Sequence, residues 1–373
     1  MIVILSIDVD EVYSQTLPYP PSAVISDVIF DDASLRTEAP GSDNWPITWA
    51  TNGNLYTTGS DVGGFGGTNS DGRVSLGVGR VEDNQNNYRG FNIAGGKNAP
   101  FAAQFTGKSE GILALGNTLY LWRNGDGSDA NAFKFADLYR SDDLGATWQF
   151  TGVSFSKSGG DFPNSEGFFS PAFLQFGQGY NGARDQFVYI YAPEIQSRLH
   201  WNVQKPGEIA LMRVAQSQIE QKSSYQFFAG LSGGNPTWTN SISLRKPVWK
   251  DAINGTHRMA VSFNSGINRY LLTTMTIDRA GRIAIYDAPE PWGPWTTVLF
   301  EQNESRWGGK VVIFTFVNKW LSSDGENFTI VHMRNDQWAT TNGRFVLSTS
   351  PPPSPPGPGS VESIVPVINL LLE

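Results

Sequence analysis

Three carboxylates stand just ahead of three successive β-rich segments: Asp43 before WPITWA, Glu110 before GILAL and Glu166 before PAFLQFG. Paired carboxylates at the entrance to converging strands suit inverting glycoside hydrolysis. One ionised acid activates a water, a second, held protonated, serves the leaving oxygen, and the two stand roughly 6.5–9.5 Å apart. A third acid nearby raises the pKa of the second by like-charge repulsion. On this reading Asp43 is the base, Glu166 the acid and Glu110 the group that tunes it. The plainer alternative makes Glu110 and Glu166 solvated loop acids, and makes Asp43 the cap of a turn.

Other residues near the same strand entrances widen the choice. Asp61 leads into the loop GGFGG, which lacks the Gly-Lys-Ser/Thr of a phosphate cradle and reads as a flexible rim. Asp61 is then a fourth acid or a turn residue. Trp45 offers a flat face to a sugar ring, or else packs between sheets. A different reaction, β-elimination on a uronate glycan, needs cations to neutralise the carboxylate and a base to take the C5 proton. Arg89, Lys108, Arg258 and Lys319 supply cations, and Tyr88 or His257 a base. A non-catalytic glycan-binding protein is the third class. All three have a polysaccharide or oligosaccharide as partner.

Some chemistry is excluded outright. The chain has no cysteine and three histidines, at 200, 257 and 332. Thiolate zinc sites, iron–sulfur clusters, disulfides and a cysteine nucleophile are therefore ruled out, and a multi-His metal centre is disfavoured. There is no G-x-S-x-G nucleophile elbow. The glycan chemistry requires no cofactor, and a structural Ca2+ ion is compatible with it.

The elements that must carry these residues emerge as an internal repeat. Five segments alternate aromatic and aliphatic residues after a polar turn: NLYTTGSD from Asn54, TLYLWRNG from Thr118, FVYIYAPE from Phe187, RYLLTTMT from Arg269 and FTIVHMRN from Phe328. Each is followed by a second strand, beginning near Gly72, Phe133, Gly207, Gly281 and Gly343, and preceded by a third. Outer strands are marked by Trp148, Trp238 and Trp295. The only candidate helix is short, near residues 215 to 221. The pattern predicts an all-β fold, a single five-bladed β-propeller of four-stranded antiparallel blades over residues 21–349. SAVISDVIF would close the ring against the last blade. Residues 1–20 form an N-terminal extension, and residues 350–373 a Pro-rich linker and tail. Ser141 to Trp148 fits the Asp-box pattern S-x-D-x-G-x-T-W of sialidase-like blades, which gives Asp143 a structural role.

Composition narrows the partners. Of 373 residues 27 are Lys or Arg and 35 are Asp or Glu, for a net charge of −8, the wrong sign for a phosphate-backbone binder. No apolar stretch reaches the roughly 20 residues of a membrane helix. The opening MIVILSIDVDEV lacks the basic region of a complete signal peptide. The sequons at Asn254, Asn303 and Asn327, with the SPPPSPPGPGS tract, point to an extracellular protein. A monomer is expected.

The stretch SDNWPITWATNGNLYTTGSD, with GEIALMRV, RKPVWKD and APEPWGPWTT, resembles a large microbial family long labelled a domain of unknown function. The resemblance covers most of residues 20 to 348. Some members of that family are assigned as endo-D-arabinanases, inverting glycosidases that cut mycobacterial-type arabinan. The layout around Asp43 is also similar to the first blade of five-bladed arabinanases and xylosidases, which implies a base there, and Glu166-Gly167 is similar to their acid. Glu110 matches their second-blade acid less well, and Ser60-Asp61 stands where the arabinanase-type members show Gly-Asp.

Overall fold

The computed structural model describes residues 17–125, 133–163, 165–169, 171–195, 207–275, 283–301, 307 and 313–349. It is built from short antiparallel strands, and the expected helix near residue 215 is a single 3-10 turn at Gln216–Gln218. Three four-stranded sheets form from β2 (Ile47–Trp49), β3 (Leu55–Val62), β4 (Val74–Glu82) and β5 (Arg89–Ala94); from β6 (Lys108–Leu115), β7 (Thr118–Asn124), β8 (Phe135–Ser141) and β9 (Gln149–Ser156); and from β20 (Phe314–Phe316), β21 (Asn327–Met333), β22 (Trp338–Leu347) and β1 (Ile25–Glu38). A larger sheet joins two antiparallel runs. One is β10 (Ala172–Gln175), β11 (Phe187–Pro193), β12 (Glu208–Ala215), β13 (Gln226–Ser232) and β14 (Asn235–Thr239); the other is β16 (Met259–Asn264), β17 (Arg269–Met275), β18 (Ile283–Ala288) and β19 (Thr296–Glu301). They meet where β10 and β16 pair in parallel at Leu174 with Val261 and Gln175 with Ser262. The architecture is a β-propeller.

The run from β10 departs from the expected four strands. β14 extends it, and β15 (Pro247–Lys250) adds to the start of β12 through Glu208 with Lys250 and Ile209 with Trp249. The packed body also begins before the expected boundary at residue 21. Thr297 N donates to Pro20 O at 2.7 Å, and the Tyr19 ring lies 5.6 Å from that of Tyr286.

The second strand of each group is covered on both faces, so its sequence does not alternate cleanly: six of the eight residues of β3 in unbroken succession, and seven of the eight overall, are buried. Outer strands such as β9 remain exposed on one side. Between groups the contacts are aromatic. Trp338 packs against Trp45 at 5.3 Å and Phe65 at 5.5 Å, and Trp122 stacks on Phe173 at 6.0 Å. Such pairs add about 0.5–1.5 kcal/mol beyond the area they bury.

Ring closure without a disulfide falls to β1, which pairs antiparallel with β22 from Ile25 opposite Leu347 to Glu38 opposite Trp338. Polar ties then run around the axis. Ala114 N donates to Thr48 Oγ1 (2.9 Å), Gln175 Nε2 to Ile112 O (2.9 Å), Ser262 Oγ to Phe316 O (2.8 Å) and Ser42 N to Asp336 O (2.9 Å). With the β10–β16 pairing they link every group to the next. The hairpin from Ser141 to Trp148 is held by Asp143, whose carboxylate accepts from Ser141 Oγ (2.8 Å), Thr147 N (2.8 Å) and Thr147 Oγ1 (2.6 Å). Against the upward pull of desolvation, these bonds hold Asp143 below the usual carboxylate range.

Candidate active site

The innermost strands run side by side in one direction. Ile47, Ile112, Phe173, Val261 and Thr315, one from each, line an axial cavity of about 10 Å³, and the later residues Thr48, Trp49, Phe316, Val317 and Asn318 line another of the same size. Each has room for about one water. The inner strands therefore close on the axis, leaving it room for little more than single waters, and a site for a larger molecule lies at one of its mouths.

Asp43 stands at the mouth formed by the strands' N-terminal ends. Its backbone is bridged to Ser60 in both directions, N to O at 3.0 Å and O from N at 2.7 Å. The flanking residues are clamped as well: Ser42 N donates to Asp336 O, Gly64 N donates to Ser42 Oγ at 3.1 Å, and Asn44 Nδ2 reaches Ser109 O at 3.0 Å. Three different sheets thus fix the backbone that carries this carboxylate. The loop 63–67, expected as a flexible rim, is fastened too. Asn92 accepts from Phe65 N and donates to Phe65 O, and the Phe65 ring lies so close to Gly90 that a Cβ there would meet it at 2.1 Å.

Asp43 is half-buried, but its Oδ1 is out of solvent with no hydrogen-bond partner among the described residues. Its pKa is raised to about 6, first by desolvation. Arg258 and then Lys108 pull it down, while Asp61 and Asp336 push it up. The structure therefore brings Asp43, Asp61, Lys108 and Arg258 together. Lys108 Nζ pairs with Asp61 Oδ2 at 2.5 Å, and Arg73 approaches the same carboxylate at 3.6 Å. Lys108 and Arg258 are both buried, and His257, fully buried beside Arg258, packs its ring 4.8 Å from that of Phe169.

Glu166 lies on the segment leading to Phe169, where its carboxylate is engaged by Lys157 and its N–H donates to Ile195 O at 3.4 Å. Glu110 falls in β6 where the register shifts between Lys108 and Gly111, and its side chain lies outside the described residues.

Four sequence candidates do not present a side chain to this mouth. Arg89 begins β5 at the opposite end, 65% exposed, paired with Asp83 at 3.1 Å and Glu82 at 3.4 Å. Lys319 lies in the 3-10 turn Asn318–Trp320 past the end of β20, where burial lowers its pKa against the pull of Asp83 and Glu82. The Trp45 ring is buried against Phe65 and Trp338, so it packs sheets together and presents no open face to a sugar. Tyr88, the other candidate base, is buried in the same seam, bonded to Trp338 Nε1 at 2.9 Å.

Two features were not legible beforehand. Asp336 comes from the β21–β22 turn, at φ 56°, and its only signal was the polar run Arg-Asn-Asp-Gln. Glu194 forms a buried two-pronged pair with Arg245, both bonds 2.6 Å, while Arg245 also donates to Ser165 Oγ at 3.1 Å, which anchors the segment next to Glu166. Among the described residues no cluster of three His, Asp or Glu is placed to hold a metal ion, and no helix is long and apolar enough to cross a membrane.

Comparison with known proteins adds a family and a fold. The family described as Domain of unknown function (DUF4185) matches residues 111–340. No curated protein matches the chain. Among solved structures, a candidate exo-β-1,3-galactanase from Bifidobacterium bifidum s17 superposes with a TM-score of 0.50 at 11% identity, covering 84% of this chain and 97% of that one. A structure described as a hydrolase, unassigned in detail, from Bacteroides ovatus gives 0.48 at 12%, covering 82% and 87%. An α-L-arabinofuranosidase from Podospora anserina, solved with cellotriose, gives 0.46 at 10%, covering 88% and 98%. At such identities the likeness is one of fold, and the first of these carries it.

Proposed function

The chain belongs to the family described as Domain of unknown function (DUF4185), and from that premise we propose that it is a carbohydrate-active enzyme, an inverting glycoside hydrolase of a polysaccharide, on a five-bladed propeller. Taking each antiparallel run as one blade gives the count of five. The observation that carries the reading is Asp43: a carboxylate whose backbone is clamped by three sheets at the axial mouth, with Oδ1 desolvated and a pKa of about 6. A general base is most effective with a pKa near the working pH, because it is then both ionised and basic. Arg258 and Lys108 keep the carboxylate from being pushed further into the neutral form, and they leave it available to draw a proton from water. Glu166, on the segment before the third inner strand, is the acid in this scheme, with Glu110 as the acid that tunes it. The candidate exo-β-1,3-galactanase that shares the fold makes neutral glycans the first substrates to try.

A second reading is favoured by one specific feature, the cations Lys108 and Arg258 beside His257 at the same mouth. These could neutralise a uronate carboxylate for β-elimination. The two are separated by incubating the protein with neutral and uronate polysaccharides and following both reducing ends and the absorbance of unsaturated products. Hydrolysis predicts reducing ends of inverted anomeric configuration without that absorbance. Unsaturated products would replace the hydrolase with a lyase, and retention of a glycan without any product would leave a binding protein.

A further inference from the structure

A cleft of about 580 Å³ opens on the flank of the propeller, between the outer half of the β2–β5 sheet and the β8–β9 turn of the next. Tyr56, Arg80, Phe91, Asn98, Phe101 and Leu144 contribute to its walls. It runs along the outer edge of the sheet, from Tyr56, the second residue of β3, and the hairpin turn of Leu144 up to Lys97 and Asn98 beyond β5, and none of Asp43, Asp61, Lys108 and Arg258 lines it. Its volume is in the range of small-ligand sites.

The lining says what kind of ligand it fits. Phe101 is 46% exposed, and it is held on a rigid support, with its N–H donating to Ile93 O at 3.1 Å and its carbonyl accepting from Gly95 N at 2.9 Å. A fixed, half-exposed ring is a platform that loses little entropy when it is covered. The charges around it are already compensated. Arg80 pairs with Glu82 at 2.8 Å, Lys97 with Asp71 at 2.7 Å, and the Asp143 carboxylate is filled by Ser141 and Thr147. An ionic ligand would therefore find no uncompensated countercharge. Polar capacity remains all the same: Asn52 and Asn98, both exposed, stand at the rim. An apolar face ringed by neutral donors and acceptors matches a neutral sugar, whose C–H face lies on an aromatic ring while its hydroxyls bond outward.

We propose that this cleft is a second, non-catalytic binding site for a neutral oligosaccharide segment of the polymer. The inference rests on the glycan reading above and deepens it, because a site on the flank would hold the chain while another stretch lies at the axial mouth.

The test uses the full chain carrying Asp43→Asn, so that bound glycan is not consumed, in affinity electrophoresis through gels containing arabinan, galactan, xylan or β-glucan, with polygalacturonate as the anionic comparison. The neutral polymer that the wild-type protein cleaves should retard it. Adding Phe101→Ala should weaken that retardation at least about tenfold, the size of effect expected when an aromatic anchor is lost. Adding Phe150→Ala, which removes a ring 51% exposed outside the cleft, should leave it unchanged. In the wild-type background Phe101→Ala should cleave short oligosaccharides at the normal rate. Unaltered retardation of Phe101→Ala on a polymer that is cleaved, or retardation by polygalacturonate alone, overturns the second site and leaves the hydrolase reading intact. Phe101-dependent retardation with no cleavage of any polymer removes the hydrolase and keeps the site. Neither cleavage nor retardation removes both.

Discussion

Replacing Asp43 by Asn should make the protein inactive and, at neutral pH, more stable. Asp43 has a pKa of about 6 in the folded protein against an ordinary value of 3.8, chiefly because it is desolvated. The folded state therefore binds this proton more tightly than the unfolded state does. The associated stabilisation is fully present below pH 3.8 and is lost as the pH rises to about 6. Above that, folding bears the cost of a charged, partly desolvated carboxylate. A shift of this size corresponds to about 3 kcal/mol at about 1.4 kcal/mol per pH unit. Asparagine carries no charge but brings an amide whose N–H groups also need partners, so the net gain at pH 7 should be about 1–3 kcal/mol. The assay is urea denaturation of wild type and variant at pH 7 and at pH 4, alongside polysaccharide cleavage. The variant should unfold at higher urea at pH 7, the difference should shrink towards zero at pH 4, and cleavage should fall by about 10²-fold or more, the usual worth of a general base. An unchanged midpoint at pH 7, or a difference independent of pH, would refute the account of Asp43 as a desolvated carboxylate that destabilises the fold when ionised. Such a gain in stability on removing an active group is the expected trade between stability and function.

Two further substitutions probe the surroundings. Asp61→Asn removes a carboxylate that raises Asp43 and that neutralises Lys108, so the acidic limb of the kcat/KM profile should move to lower pH; a limb that stays in place or moves upward would contradict the electrostatic arrangement. Trp338→Ala empties the seam shared with Trp45, Phe65 and Tyr88, where Trp338 is fully buried, and should cost about 3–5 kcal/mol in a denaturation midpoint without moving the pH profile of the residual activity.

The strands themselves were legible because each is short, rich in aromatic and β-branched residues and bounded by polar turns. The pairing of β1 with β22 was readable from an apolar segment, SAVISDVIF, with no partner near it in sequence. The extra strands β14 and β15 were less so: β14 is an exposed edge strand whose pattern carries little burial signal. The site was only partly readable. Asp43, Asp61, Lys108 and Arg258 stand next to recognisable inner strands, and position along those strands was a fair guide to the mouth they occupy. Arg89 and Lys319 failed as candidates because a strand's two ends lie at opposite mouths, and a charged residue looks alike at either end. Trp45 failed because a tryptophan that faces a sugar and a tryptophan that packs two sheets have the same sequence signature.

What the sequence determined alone is the repeat, the absence of any disulfide or thiolate chemistry, and the presence of carboxylates at strand entrances. These are properties of residue type and local spacing. The tertiary structure decided which charges meet. Asp336 reaches Asp43 from the last sheet across the closing seam, Arg258 and Lys108 reach it from two others, and the desolvation that lifts its pKa arises from all of them packing together. Electrostatics and burial depend on distances between segments hundreds of residues apart, and those distances exist only once the ring has closed.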